Sequence, residues 1–144
     1  MGKSVQDAMT TQPTFVERSK PVKDAARIMR DQNVGALPVV DDGRLIGMIT
    51  DRDIAVRVVA EGRDLGSTTV GDAHTDQLVT VQPEQDLDDA LALMARYQVR
   101  RVPVTDGDRL VGILAQADIA LDEKEKVTGE VVQAISEPSG SERR

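Results

Sequence analysis

The chain has 144 residues, a formal net charge of −7, 40% hydrophobic and 1% aromatic residues, and no cysteine. An acidic chain lacks the basic face with which a general nucleic-acid binder displaces counterions. Without cysteine there are no disulfides or thiolate metal sites, and no stretch approaches the roughly 20 apolar residues of a membrane span.

The first residues, MGKSVQDAM, lack the apolar segment of a signal peptide, so a soluble cytoplasmic protein is expected. Residues 4–9 predict a short amphipathic helix, with Ser4 as its cap and Val5, Ala8 and Met9 on one face. Gln12-Pro13 breaks it, and residues 14–16 predict a short strand. Ser19 is the candidate cap of the next helix, Pro21 falls in its first turn, and Val22, Ala25, Ala26 and Met29 form its apolar stripe. Asn33 is expected to end it. Two apolar runs at 36–40 and 45–49 flank Asp41-Asp42-Gly43, the signature of a hairpin. A helix over 51–60 should follow, with Ile54, Ala55, Val58 and Val59 inward. The polar run 61–69 reads as a linker.

The same order then returns. Asp53 and Asp118, like Pro38 and Pro103, stand 65 residues apart. Val70, Asp72 and Ala73 repeat Val5, Asp7 and Ala8. A short strand is expected at 78–81, a helix at 86–98 with Leu87, Ala90, Leu91 and Met94 inward, a hairpin from 102–105 to 110–114, and a helix over 116–125. The expected boundaries are a first motif at 1–62, a linker at 63–69 and a second motif at 70–125. A short helix at 126–136 and a disordered tail at 137–144 complete the chain.

Each unit therefore reads strand–helix–strand–strand–helix, an α/β (α+β) arrangement. The crossover helix implies a parallel strand pair and the tight turn an antiparallel one. So small a sheet cannot bury both faces alone. Two units packed sheet to sheet about a pseudo-twofold axis, helices outside, solve this. The core must be aliphatic, because the only aromatic residues are Phe15 and Tyr97. A bound purine would lie against aliphatic side chains.

The run GALPVVD…RLIGMITDRDI, repeated as RRVPVTD…RLVGILAQADI, resembles the cystathionine-β-synthase (CBS) domain. Two copies in one chain resemble a Bateman module of the stand-alone type. The resemblance covers about residues 5–122 and leaves nothing for a catalytic domain. It implies an adenosyl ligand: AMP, ADP, ATP or S-adenosylmethionine, with no required cofactor and no metal. It places Thr50 and Asp53 at a strand-to-helix junction, with the Asp53 carboxylate accepting the ribose hydroxyls. The helix N-terminus favours the phosphate side. Adenine would be read near Thr14 and Ala36, with Val79 as the second copy's counterpart. The second copy keeps Asp118 but has Ala115 for the threonine and Gln116-Ala117 for Asp51-Arg52, so its site should be weaker, altered or vacant. It also supplies Arg100 and Arg101 where the first has Gly35 and Ala36. These, with Arg52, are candidate phosphate ligands.

Plainer roles compete. Asp53 and Thr50 could simply cap a helix, the arginines could pair with Asp24 or Asp89, and His74 suits a surface or capping role. Two functions therefore stand open: an adenosyl-sensing regulatory module with an unknown protein partner, and a ligand-free dimeric interaction protein with a degenerate cleft. A homodimer is expected in either case, without nucleic acid or membrane, and no nucleophile–base constellation suggests an enzyme.

Overall fold

The computed structural model describes residues 2–76 and 78–117. Asp118, the helices expected at 116–125 and 126–136, and the tail at 137–144 lie wholly or mostly outside those residues. Two hairpins dominate: β3 (Ala36–Asp41) with β4 (Arg44–Thr50), and β5 (Arg101–Asp106) with β6 (Arg109–Ala115). Asp42 and Gly43 take φ of 55° and 83°, the doubly positive geometry that matches a hairpin's twist. Both hairpins carry a register shift at the same repeat position, between Val39 and Val40 and between Val104 and Thr105.

The hairpins join at their tips, where Arg44 pairs with Arg109, and the sheet curls so that β6 also reaches β1 (Thr10–Thr11). Strand β2 (Val16–Glu17) pairs in parallel with β3. Between them runs α2 (Val22–Gln32), burying Val22, Ala25 and Met29. In the second motif α5 (Leu87–Tyr97) buries Leu87, Ala90 and Met94. Asn33 and Gln98, one repeat apart, close these helices in the left-handed conformation.

Four local expectations need correction. Pro21, at φ −66° and ψ 149°, sits just outside α2 as its cap, so Ser19 does not cap it. The first short strand lies at Val16–Glu17 rather than 14–16. The strand expected at 78–81 reduces to one parallel bridge, Val81 to Val104. Val81 gives both its N–H and its carbonyl to β5, but the next residue facing that strand is Pro83, which has no N–H to extend the ladder. After α3 (Asp51–Asp53) the chain widens into a π-helical turn, Ile54–Val59. The Ala60 N–H reaches the Ala55 carbonyl, the wider spacing of such a turn. Rotation per residue falls, so only Ile54 and Val58 stay inward, while Ala55 is exposed and Val59 is 58% exposed.

The short helices leading into the motifs are exchanged. Helix α1 (Val5–Ala8) places Val5 in the core of Val81, Leu87 and Met94. Helix α4 (Val70–Ala73) places Val70 and Ala73 in the core of Val22, Met29 and Leu37. The backbone bonds repeat the exchange: Val5 N–H to the Gln85 carbonyl, and Val70 N–H to the Lys20 carbonyl. Ser4 caps α1 together with Asp7, whose exposed carboxyl is held below its usual range chiefly by the Ser4 backbone N–H. That contribution is present at neutral pH and fades as pH falls through the lowered value.

Candidate functional site

The alternation that builds β4 brings the chain to Thr50 just as it enters α3. The Thr50 hydroxyl accepts the Asp53 N–H at 3.0 Å, and the Asp53 Oδ2 accepts the Thr50 N–H at 2.9 Å. This reciprocal pair satisfies two backbone donors at the helix start. The structural role weighed for both residues is therefore real, whatever else they do. The other carboxylate oxygen, Oδ1, accepts the Thr75 hydroxyl at 3.2 Å and lies 3.8 Å from the Arg57 Nε. Asp53 is buried, at 8% exposure.

Above this junction opens a cleft of about 540 Å³, within the usual range of small-molecule sites. One wall comes from the first motif: Gly35 and Ala36 at the start of β3, Met48 and Thr50 of β4, and Asp51 and Arg52. The facing wall comes from the second: Val99, Arg100, Arg101 and Pro103. Thr75 and Val79 close it between them. The walls are largely aliphatic, as the scarcity of aromatics requires, with arginines from both motifs at the edge.

Of the candidate site residues, Ala36, Thr50, Arg52, Val79, Arg100 and Arg101 line this one cleft. Thr14 does not; it lines a second cleft of about 150 Å³ with Ala36 and Arg101. The two clefts are repeat mates, since Thr10, Thr14 and Ile113 line the smaller where Thr75, Val79 and Met48 line the larger. Asp53 lies behind Thr50 and Thr75 rather than on the wall. Ala115, where the second copy lacks the hydroxyl, is buried. His74 ends α4, its Nδ1 2.9 Å from the Gly71 carbonyl oxygen, the capping role expected of it.

Gly35, Met48, Asp51, Thr75, Gln98, Val99 and Pro103 also line the larger cleft and are not among the residues expected from sequence. The repeat carries a signal for Thr75, which stands two residues beyond Ala73 and opposite Thr10 at the same offset.

Comparison with known proteins gives matches to the CBS domain over residues 5–60 and again over 70–124. The CBS domain-containing protein YhcV of Bacillus subtilis is 48% identical over 120 residues, covering 83% of this chain and 85% of that protein. Hypoxic response protein 1 of Mycobacterium tuberculosis is 39% identical over 136 residues, covering 94% and 95%. Its crystal structure, described with two coordinated zinc ions, superposes with a TM-score of 0.74 over 83% of this chain and 98% of that one. The structure of CBSX2 in complex with AMP is 28% identical, with a TM-score of 0.76 over 87% and 98%. A CBS domain pair in complex with 5′-methylthioadenosine and S-adenosyl-L-methionine is 29% identical, with a TM-score of 0.74 over 88% and 99%.

Proposed function

The chain belongs to the CBS-domain family as a tandem pair, and from that premise we propose that it is a regulatory module. It binds an adenosyl ligand in the cleft between its motifs and passes the occupied state to a partner protein. The observation that carries this reading is the larger cleft, which gathers Ala36, Thr50 and Arg52 of one motif against Arg100 and Arg101 of the other. Relatives of the same fold bind AMP or S-adenosylmethionine, the ligand chemistry that such a cleft suits. The purine would lie between Met48, Val79 and Val99, and the phosphate would meet the arginines. Calorimetric titration with AMP, ATP and S-adenosylmethionine tests it. Absence of heat and of any shift in melting temperature with all three would overturn it.

The phosphate preference is a sharper test. An acidic protein repels an added phosphate unless cations meet it locally. AMP is expected to bind about tenfold more tightly than adenosine, the size of one good hydrogen bond to a charged group. Arg100→Ala with Arg101→Ala should erase that preference and leave adenosine binding nearly intact. Added salt should shrink it, because part of the attraction is screened. Equal affinity of the wild type for AMP and adenosine would remove the arginines from the site.

The loss of the threonine hydroxyl at Ala115 favours a second reading, in which the cleft is degenerate and the protein works by self-association. Both readings include a homodimer. Val56 and Val59 on the π-helical turn are 46% and 58% exposed, an apolar surface suited to a contact. Sedimentation should show a dimer at tens of micromolar; a monomer there would contradict it.

A further inference from the structure

We propose that Thr75 is a gate over Asp53: its hydroxyl occupies the carboxylate oxygen that the ribose of a bound nucleotide needs. The inference rests on the adenosyl reading and adds to it a residue that governs ribose selectivity. Three observations lead to it. The Thr75 hydroxyl donates to Asp53 Oδ1 at 3.2 Å. Thr75 lines the cleft, whereas Asp53, though bonded to it, does not. The other oxygen, Oδ2, is committed to the Thr50 N–H at 2.9 Å, a bond that holds the start of α3.

A carboxylate accepts at both oxygens and donates at neither. A vicinal diol arriving from the cleft therefore seeks Oδ1, and there it meets Thr75. An oxygen can accept two hydrogen bonds, but Oδ1 already faces both the Thr75 hydroxyl at 3.2 Å and the Arg57 Nε at 3.8 Å, and only 8% of Asp53 is exposed, so an arriving diol takes the place of the threonine. Binding exchanges one hydroxyl donor for another, so the net gain from the ribose is smaller than the contact alone would give.

The exchange also has a mechanical consequence. Thr75 is held by two backbone bonds to Met48, N–H to carbonyl in each direction at 2.8 and 3.0 Å. The backbone carbonyl of its neighbour His74 accepts the Arg57 Nη1 at 3.3 Å, and the Arg57 Nε lies 3.8 Å from the same Asp53 Oδ1. Arg57 belongs to the π-helical turn that exposes Val56 and Val59. Displacing the Thr75 hydroxyl thus changes the company of Arg57, and occupancy of the cleft reaches the exposed apolar turn through one side chain. Thr75 comes from the second motif's lead-in and Asp53 from the first motif, so the gate spans the pair.

The test compares AMP with 2′,3′-dideoxyadenosine 5′-monophosphate, which keeps the base and phosphate and lacks the diol. Calorimetry is run on wild type, Thr75→Val and Thr75→Ser. Valine keeps the shape and removes the donor. The expected result is about tenfold tighter AMP binding by Thr75→Val, unchanged binding of the dideoxy compound, and wild-type behaviour from Thr75→Ser. Thr75→Ala serves in the same way if valine disturbs the bridge to Met48. Equal weakening of both ligands would assign Thr75 a merely structural role and overturn the gate. Weakening of AMP alone would make Thr75 an aid to the diol rather than its competitor, and would overturn it too, as would no change. Failure of the wild type to bind either compound would overturn the adenosyl reading and this inference with it. Wild-type binding of both with any pattern other than the expected one overturns the inference alone.

Discussion

Replacing Asp53 with alanine is expected to remove most adenosyl-ligand binding, weakening it roughly ten- to a hundredfold. That is the scale of a lost hydrogen bond to a charged group, about 1.5–3 kcal/mol. The Asp53 carboxylate is the buried acceptor behind Thr50 and Thr75, which line the larger cleft. Alanine also removes the reciprocal cap with Thr50, a change typically worth about 1 kcal/mol of stability. Asp53→Asn separates the two effects. An amide oxygen can still accept the Thr50 N–H, but the charge that favours two diol donors is gone. Asparagine should therefore melt close to wild type and bind the ligand poorly. Asp118→Ala should cost less, because Ala115 stands where Thr50 has its counterpart and the smaller cleft holds about 150 Å³. Calorimetry on the three variants decides it; an Asp118→Ala loss as large as that of Asp53→Ala would reverse the ranking of the clefts.

Gly47→Ala is expected to destabilise the fold by about 1–3 kcal/mol, the range for forcing extra volume into a packed contact. A Cβ at Gly47 would collide with the backbone carbonyl of Thr75 and the ring of His74. The carbonyl cannot yield without breaking the Met48 bridge that seats the second lead-in. Gly112, one repeat on, faces Met9 and the Thr10 carbonyl, with the Met9 Sδ at 2.6 Å from the added carbon and the carbonyl at 2.9 Å. Methionine is flexible and can withdraw, so Gly112→Ala should cost less than Gly47→Ala. Chemical denaturation of both variants measures the difference. Equal costs at the two glycines would mean that the lead-ins are seated less tightly than their contacts imply.

Much of this protein was legible in its residues, because the decisive signals are local. Asp42-Gly43 between two apolar runs requires a tight hairpin, and the hairpin forms with Ala36 opposite Thr50. Val22, Ala25 and Met29 recur at helical spacing and are buried on α2. Thr50 three residues before Asp53 encodes a reciprocal cap, and the cap is made. Where local signals compete, the reading slipped. The apolar residues 54–60 fit an α-helical stripe, but the backbone widened and turned Ala55 and Val59 outward. No side-chain pattern announces such a widening, since it depends on how the turn fits against the core.

The pairing of lead-ins with cores was decided by tertiary structure alone. Val5 and Ala8 are as apolar, and as spaced, as Val70 and Ala73. Either helix could serve either core, so periodicity cannot choose between them. The exchange is fixed by long-range closure: Ser4 bridges Asp86, and Thr69 bridges Pro21. The cleft follows from the same closure. The residues alone specify the two units, their hairpins and the reciprocal cap between Thr50 and Asp53. Only the packing of one unit on the other set the arginines across from Thr50 and laid Thr75 over Asp53, because those neighbours are far apart in the chain and meet only when the pseudo-twofold is formed.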